Sequence, residues 1–206
     1  MVILGLTGSI GMGKSTAASA LRRLGVPVYD ADGTIHRLIR RGGIAVPQVE
    51  AAFPGVVADG VVDRRKLGDL VFADRAALKR LEAILHPLAR RAQMGFLAAA
   101  ARRRVRLVVL DIPLLFETRG DRRCDAVALL SAPPAIQEAR VLARPGMTRE
   151  KLAGIRKRQM PDAEKRRRAD FVVPTGLAKR EALRRLGAIV RRMRARRGRH
   201  WKPGVL

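Results

Sequence analysis

The sequence predicts an α/β protein built on a doubly wound, parallel, five-stranded sheet with an inserted helical lobe and a lid, and three observations indicate this class. Five short apolar segments alternate with segments of helical periodicity along the 206 residues. The first apolar segment runs directly into a glycine-rich loop that opens a helix. An apolar content of 48% indicates a globular chain, and no internal repeat divides it. We therefore expect a single domain over residues 1–206.

The glycine-rich loop, residues 8–15, reads GSIGMGKS and matches the complete G-x-x-x-x-G-K-[ST] phosphate-binding pattern. An apolar strand over residues 2–6 precedes the loop, and a helix opening near Lys14 follows it. The glycines let backbone N–H groups point at a phosphate, Lys14 supplies charge to the β- and γ-phosphates, and the Ser15 hydroxyl can complete a Mg²⁺ shell. The loop therefore predicts a nucleoside triphosphate site of the P-loop NTPase type. Its glycines are Gly8, Gly11 and Gly13.

A second apolar strand, predicted over residues 26–29, is followed by two carboxylates, Asp30 and Asp32. In an open parallel sheet, ligands lie beyond the carboxyl ends of the strands, so we expect these carboxylates to face the phosphate-binding loop. One of the two could instead cap the helix that follows, and the sequence leaves this alternative open.

Residues from about 33 to 103 show interrupted helical periodicity, and they delay the next sheet strand by about 70 residues, more than one crossover helix needs. We interpret this stretch as an inserted helical lobe that covers the acceptor substrate. It would separate two core segments, residues 1–32 and 104–190. Asp63 is expected to cap one helix of the lobe.

A second helix of this lobe is predicted from residue 74 to residue 85, ending at His86 and Pro87. His86 allows two interpretations. It either ends the helix as a structural residue, or it donates a hydrogen bond to a phosphate or ribose oxygen.

The sheet is predicted to resume with an apolar strand over residues 105–111, which ends in Asp111. An acid at this place is typical of the second metal-handling element of phosphate-loop enzymes, so Asp111 would hold Mg²⁺ directly or through water. Two further strands are predicted at residues 126–130 and 170–173. A final helix is predicted from about residue 178 into the basic end of the chain.

Arg140 and Arg144 are four residues apart, which places them on one helical face within a predicted lid of about residues 132–160. Guanidinium groups on a movable segment can close over a transferring phosphoryl group and neutralise its charge. The alternative is a solvated basic face without a catalytic role.

The charge is unusual, since 43 Lys and Arg residues against 18 Asp and Glu residues give a net charge of +25. Such an excess attracts polyanions, of which nucleic acid is the obvious example. However, the arginines are spread through every predicted helix, and the aromatic content is only 3%. We therefore expect an anionic small-molecule substrate and no specific nucleic acid. A basic tail of about residues 191–206 lies beyond the predicted core; the sequence leaves open whether it is ordered, although its glycine, arginine and lysine content favours disorder.

The single cysteine, Cys124, can form neither an internal disulfide nor a cysteine metal cluster, which suits a reducing compartment. No apolar run approaches the length of a membrane span, and no secretory signal is recognised. These observations favour a cytoplasmic protein that is not bound to a membrane. They leave open whether it is a monomer or a small homo-oligomer.

Several ordered motifs together resemble those of the dephospho-coenzyme A kinase family. The combination of Asp-Ala-Asp, His-Pro and Pro-Leu-Leu-Phe-Glu is more selective than the phosphate-binding loop alone. The matching positions are 5–16, 30–32, 63–64 with Leu67, 71–72, 81–82, 86–87, Asp111, 113–117, Asp125, Gln137 with Arg140, Gln159 and 169–173.

This resemblance implies an enzyme that uses ATP and Mg²⁺ to phosphorylate the ribose 3′-hydroxyl of dephospho-coenzyme A, giving coenzyme A and ADP. Asp32 would accept or orient the proton of the acceptor hydroxyl, with Lys14 and Arg140 as the other catalytic residues. The implied ATP-binding residues are Gly8, Gly11, Met12, Gly13, Lys14, Ser15, Thr16, Arg140, Arg144 and Thr175, and Ser15 and Asp111 would hold the metal. The implied acceptor-binding residues are Asp32, Asp63, Arg64, His86 and Leu115.

One departure concerns Thr175, because family members often have an asparagine there, placed to meet the adenine. Thr175 keeps one polar group and loses the amide. Two other functions stay open: a kinase of the same fold acting on another small hydroxyl compound, and a nucleic-acid-stimulated NTPase.

Overall fold

The computed structural model describes residues 1–176 and 178–201 of the chain. Its strands are β1 (Val2–Thr7), β2 (Val28–Asp30), β3 (Val57–Ala58), β4 (Val61–Val62), β5 (Leu107–Asp111), β6 (Ala126–Ser131) and β7 (Phe171–Pro174). Its α-helices are α1 (Lys14–Arg23), α2 (Ala31–Ile39), α3 (Val46–Ala52), α4 (Arg64–Ala73), α5 (Arg75–Arg102), α6 (Pro134–Leu142), α7 (Arg149–Arg158), α8 (Asp162–Arg168) and α9 (Lys179–Arg194). The chain divides into two units, residues 1–29 with 98–206, and residues 30–97.

The first unit is built on a five-stranded sheet with the strand order β2-β5-β1-β6-β7. The pairs β1–β5, β1–β6 and β6–β7 are parallel. Every residue of β1, β5 and β6 is buried, as expected for parallel strands that helices cover on both faces. The predicted α/β class with a parallel five-stranded sheet is therefore confirmed.

Aspartate side chains hold the starting ends of two central strands. The Asp125 carboxylate accepts a hydrogen bond from the Ile3 N–H at 2.7 Å, and the Asp170 carboxylate accepts one from the Val127 N–H at 2.8 Å. Both acids belong to the motifs that carry the family resemblance. Here the two carboxylates accept hydrogen bonds from backbone N–H groups at the N-terminal ends of the strands, the end of the sheet opposite the phosphate-binding loop.

The last helix, α9, packs on the sheet beside α1 through Leu186, Ile189, Val190 and Met193. The helix continues through Arg194, past the start of the tail at about residue 191, and Met193 near its end is fully buried. The N–H groups of Arg199 and His200 then donate to Asp125. The helix thus runs into the basic tail, as predicted, and the order of the tail, which the sequence leaves open, is decided here for residues 195–201 by these backbone contacts.

The second unit has its own apolar core, which includes Val49, Phe53, Val62 and Leu85. It is mainly helical, as predicted, but it also contains the antiparallel hairpin β3–β4, which the sequence interpretation missed. The hairpin turns at Asp59 and Gly60, whose φ angles are 51° and 72°. Two consecutive positive φ angles are what a two-residue hairpin turn of type I′ requires.

Helix α5 runs for 28 residues and passes through Pro87. The prediction that this helix ends at His86 and Pro87 is therefore wrong. Pro87 removes one helical hydrogen bond, at a cost of roughly 3 kcal/mol. Leu81 and Ile84 before it and Leu88 after it all pack on the apolar core of the second unit, and this continuous stripe offsets the cost.

In the described part of the chain, no helix combines the length and the apolar character that crossing a membrane would require.

Candidate active site

The phosphate-binding loop leaves the end of β1 and enters α1 at Lys14, as the sequence predicts. Gly11 and Gly13 adopt left-handed backbone angles, with φ of 78° and 81°, which other L residues rarely adopt. A Cβ at Gly8 would lie 2.8 Å from the Leu130 carbonyl oxygen, so this position has no room for a side chain. The loop thus needs glycine at all three positions, and α1 directs the positive end of its dipole toward it.

Lys14 lies against the end of the neighbouring strand. Its Nζ is 2.8 Å from Asp111 Oδ1, and the two side chains are only 17% and 6% exposed. The register of the sheet produces this contact, because Leu6 of β1 pairs with Asp111 of β5. Two residues that the sequence analysis assigned to phosphate and metal binding are therefore adjacent.

A Mg²⁺ ion at this place would find oxygen donors, which are the ligands it prefers. Ser15 is exposed at the second position of α1, and Asp111 is a buried carboxylate beside the loop. Within the described residues, no group of three or more His, Cys, Asp and Glu residues could hold a metal ion by itself. Such a small protein donor set fits Mg²⁺, which usually keeps several waters and takes phosphate oxygens as ligands.

A cavity of about 350 Å³ opens beside the loop. Its polar walls bring together several residues that the sequence analysis assigned to ATP: Gly11, Gly13, Thr16, Arg140, Arg144 and Thr175. Leu183 and Leu186 of α9 supply part of an apolar wall, and Lys179 adds a third cation that sequence reasoning missed. Lys179 begins α9, one position past the predicted helix start, and nothing in the local pattern marks it as a nucleotide contact.

Arg140 is fixed at this cavity by Thr175. Its guanidinium donates to the Thr175 carbonyl oxygen and, at 3.3 Å, to the Thr175 hydroxyl. That hydroxyl in turn lies 3.0 Å from the Met12 carbonyl oxygen, to which it can donate. Thr175 therefore links Arg140 to the phosphate-binding loop. This role does not follow from comparing Thr175 with the asparagine that family members often have at this position.

The expectation that Arg140 and Arg144 share one helical face needs a correction. Helix α6 ends at Leu142, so Arg144 lies in the turn that follows it. Both arginines nevertheless line the same cavity.

Two glutamines hold the loop at Ile10 from either side. Gln137 donates to the Ile10 carbonyl oxygen at 2.8 Å, and Gln159 accepts from the Ile10 N–H at 3.2 Å. The Gln137 side-chain oxygen also accepts from the Arg156 guanidinium, at 2.9 and 3.2 Å. Gln137 is buried in α6, Arg156 belongs to α7, and Gln159 follows α7, so this segment is attached directly to the loop.

Gln137 and Gln159 belong to the motifs that carry the family resemblance, but the sequence assigns no function to either of them. The available signal was a polar amide at a helix position that faces the core. Arg156 carried no such signal, because basic residues surround it in the sequence.

The side chains of two predicted site residues, Leu115 and Met12, are buried. Leu115 is fully buried, and a Cβ at Gly5 would lie 2.6 Å from its Cδ2 atom. Met12 is 2% exposed, its sulfur accepts the Ala132 N–H at 3.0 Å, and its own N–H donates to Ser9. Leu115 is thus a core residue rather than an acceptor contact, and the Met12 side chain cannot touch a nucleotide.

The structure shows which of the two carboxylates, Asp30 or Asp32, caps the helix that follows them. Asp30 caps α2, since its carboxylate accepts the Gly33 N–H at 2.9 Å. Asp32 lies exposed in the first turn of the same helix. Asp30 therefore has the structural role, and Asp32 is left with an accessible carboxylate.

The other predicted acceptor residues also lie in the second unit. Asp63 caps α4 as predicted, and its hydrogen bonds from the Lys66 and Arg65 N–H groups hold the pKa of this carboxyl below its usual value. Arg64 is exposed at the first position of α4, and His86 is exposed within α5 rather than at a helix end. Their contacts with an acceptor remain predictions.

Comparisons with known proteins add to this geometry. A family model described as dephospho-CoA kinase matches residues 2–179. The dephospho-CoA kinase of Paramagnetospirillum magneticum is 68% identical over 197 residues, which cover 96% of this chain and 93% of that protein. A crystal structure of a Thermus thermophilus protein, 41% identical, superposes with a TM-score of 0.82 and covers 93% of this chain and 97% of that one.

A more distant structure shows the same fold. The dephospho-CoA kinase of Campylobacter jejuni, 21% identical, has a TM-score of 0.64 and covers 93% of this chain and 96% of that one. The family model and the Paramagnetospirillum relative each span most of the sequence. On these grounds, this chain belongs to the dephospho-CoA kinase family.

Proposed function

We propose that the chain transfers the γ-phosphoryl group of ATP to the ribose 3′-hydroxyl of dephospho-coenzyme A, giving coenzyme A and ADP. The observation that carries the proposal is the cavity beside the phosphate-binding loop. Arg140, Arg144 and Lys179 line it together with glycines of the loop, in a member of the dephospho-CoA kinase family. Three cations beside an oligophosphate cradle suit a reaction in which the transferred group carries negative charge.

The bond changes balance without any further reactant. The 3′-oxygen bonds to the γ-phosphorus while the bond between that phosphorus and the β–γ bridging oxygen breaks, and ADP leaves with the electron pair. Because the transition state of such a transfer is loose in most analyses, positioning and charge neutralisation dominate its stabilisation. Lys14, at the start of α1, supplies one positive charge, and Arg140, anchored by Thr175, supplies another.

Ser15 and Asp111 would hold Mg²⁺, which supplies charge neutralisation at the β- and γ-phosphates when it is bound. In this structure, the Asp111 carboxylate accepts a hydrogen bond from the Lys14 ammonium. We infer that Lys14 turns toward the phosphates when the nucleotide enters, since an ammonium on a flexible stem can exchange one oxygen partner for another.

Asp32 is the proposed acceptor of the proton that the 3′-hydroxyl loses. Its accessible position in the first turn of α2 supports this role, since the neighbouring Asp30 is occupied as a helix cap. A carboxylate of ordinary basicity suffices, because the hydroxyl proton leaves late in a loose transfer. Asp63, Arg64 and His86 would bind the acceptor in the lobe of residues 33–103.

The segment of about residues 132–160 is the proposed lid. Its attachment to Ile10 through Gln137 and Gln159 supports a lid whose position is linked to the loop. Closure would exclude water from the phosphates and so limit wasteful hydrolysis of ATP. We further propose a monomer or small homo-oligomer in the cytoplasm, where a buried free thiol such as Cys124 stays reduced.

A coupled ADP-release assay with Mg·ATP tests the function. The acceptors compared are dephospho-coenzyme A, adenosine, a simple sugar, single-stranded RNA and no acceptor. We expect release only with dephospho-coenzyme A, together with a product of the mass of coenzyme A. Release driven by the sugar or adenosine would assign another acceptor to the same fold, and release driven by RNA would favour a nucleic-acid-stimulated NTPase.

A further inference from the structure

A second cavity lies at the end of β1 opposite the phosphate-binding loop. Its volume is about 630 Å³, and Met1 and Val2 at the start of the strand contribute to it. The strand has 6 residues, so about 20 Å of extended backbone separates this cavity from the loop. Five of the 12 lining residues are arginines: Arg104, Arg106, Arg194, Arg196 and Arg197.

The basic tail builds this cavity by folding onto the sheet. After α9 ends at Arg194, Gly198 packs against the Met1 backbone so closely that a Cβ would overlap the Met1 carbonyl oxygen. The following N–H groups, of Arg199 and His200, donate to the Asp125 carboxylate, which also accepts the Ile3 N–H. These contacts therefore attach the tail beside the N-terminal ends of β1 and β6. The arginines of the tail are held at the same end of the sheet.

Within the described part of the chain, these five guanidinium groups have no acidic partner. In residues 1–176 and 178–201, no carboxylate forms an ion pair with any of them, and no acid lines the cavity. Arg194 donates to the Leu24 carbonyl oxygen, at 3.0 Å. On the same helix, Arg184 and Arg185 pair with Glu181, whereas Arg180, Arg191 and Arg192 form no ion pair within the part of the chain that the structure describes. Permanently charged groups gathered without counter-charges produce a positive field that favours an anion.

Arg104 occupies a position at which the backbone favours glycine. Its φ is 53°, and its N–H donates to the Ala101 carbonyl oxygen while the Val105 N–H donates to that of Ala100. This pair of hydrogen bonds forms a Schellman motif at the end of α5, in which the left-handed residue is usually glycine. The chain keeps an arginine side chain here despite the backbone strain, and that side chain lines the cavity.

Trp201 is the aromatic residue among those that line the cavity. Its indole Nε1 is buried without a hydrogen-bond partner among the residues that the structure describes. Trp201 is also the only tryptophan of the chain.

We propose that this cavity is a second anion site, which binds a small molecule carrying clustered phosphates. Guanidinium forks match phosphate oxygens, and several of them on one concave surface favour adjacent phosphates over a single one. A small molecule suits the site better than a nucleic acid, because the surface is concave and offers one aromatic side chain rather than a row of stacking platforms.

Tripolyphosphate, titrated into the full-length chain at 150 mM KCl, tests the proposal, with Trp201 emission as the local readout. We expect a saturable change in emission. The double variant Arg196→Gln/Arg197→Gln should weaken the apparent affinity at least about 10-fold, since it removes two charge-assisted contacts. The matched control Arg22→Gln/Arg23→Gln removes two exposed charges that do not line the cavity, and it should bind within about 2-fold of the parent.

Arg104→Gly is a variant that separates binding from folding. Because glycine suits the left-handed backbone there, the midpoint of thermal unfolding should not fall, while tripolyphosphate should bind more weakly. ATP in place of tripolyphosphate identifies the source of the phosphates: tighter binding indicates a nucleotide, and equal binding indicates phosphates alone.

Four outcomes would overturn the proposal. The first is emission that does not change with tripolyphosphate. The second is an unaltered affinity in the Arg196→Gln/Arg197→Gln variant. The third is a signal that Lys14→Ala abolishes, which would place the binding at the phosphate-binding loop. The fourth is a single-stranded RNA that alters Trp201 emission with steep salt dependence while tripolyphosphate does not, which would assign the surface to nucleic acid.

Discussion

The Lys14 ammonium lies 2.8 Å from the Asp111 carboxylate, although 97 residues separate the two along the chain. The parallel register of β1 with β5 brings the strand ends together, and the loop that leaves β1 returns Lys14 over them. Since both side chains are largely removed from water, their attraction is stronger than that of a surface pair. The pair therefore holds the Lys14 ammonium at the end of β5, the position from which it would turn toward the phosphates.

Lys14→Ala should lower turnover by about 10²- to 10³-fold, because the ammonium neutralises charge that develops in the transition state. The same change removes one partner of a buried carboxylate and should lower the free energy of unfolding by about 1–3 kcal/mol. ADP release and urea unfolding measure the two effects. The double variant Lys14→Ala/Asp111→Asn should regain stability without regaining turnover, whereas a single variant with near-normal turnover would remove Lys14 from the mechanism.

Substitutions of Asp30 and of Asp32 should have different effects, the first on stability and the second on turnover. Asp32→Asn should abolish most of the turnover with little change in ATP affinity or in the midpoint of thermal unfolding, since its carboxylate is exposed. Asp30→Ala should instead cost about 1 kcal/mol of stability, because it removes the cap of α2. Steady-state kinetics, ATP titration and thermal unfolding of both variants provide the test. Normal turnover in Asp32→Asn would show that another group takes the proton.

The predictions that succeeded depend on local chemistry. The strand, loop and helix around Lys14 follow from the glycine spacing and the apolar run before it. The cap at Asp63 follows from an acid placed just before a helical pattern. In each case, the residues that decide the conformation are neighbours in the sequence, so a short window contains the necessary information.

The features that sequence reasoning missed depend on partners far away along the chain. Helix α5 passes through Pro87 because apolar residues on both sides of the proline reach one core. The tail is ordered through residue 201 because Asp125 accepts its backbone N–H groups. Leu115 was assigned to the acceptor from a motif, but its burial is decided by close packing at Gly5 and Gly120. None of these contacts leaves a periodic or compositional signal.

Gln137 should act on ATP binding by positioning the loop. Gln137→Leu removes the donor to the Ile10 carbonyl oxygen and the acceptor for Arg156, so the loop should lose its fixed geometry. We expect the KM for ATP to rise about 10-fold, with a smaller fall in kcat, which corresponds to roughly 1.4 kcal/mol of lost binding.

Two variants make this test specific. Gln137→Glu keeps an acceptor for Arg156 but loses the amide donor, so a similar rise in KM would assign the effect to the Ile10 carbonyl oxygen. Gln48→Leu changes an exposed glutamine of α3 and should leave the KM unchanged. An unaltered KM in both Gln137 variants would contradict the positioning role.

Cys124 should be chemically inert in the folded chain. Burial raises the pKa of its thiol to about 12, so at pH 8 only about one thiol in 10⁴ is the reactive thiolate. Ellman's reagent should therefore react with Cys124 only after urea unfolding. A raised pKa also makes stability depend on pH: between about pH 9 and pH 12 the unfolded thiol loses its proton and the native thiol keeps it, so the free energy of unfolding falls as pH rises.

The pH effect is isolated by comparison with Cys124→Ala, in which every other titrating group is retained. Urea unfolding at pH 8 and at pH 10.5 should show a larger loss of stability in the parent chain than in the variant. The difference has this sign because the variant has no thiol to ionise in the unfolded state. Rapid stoichiometric labelling of the folded chain at pH 8, or equal losses in both proteins, would show that the thiol is accessible to solvent.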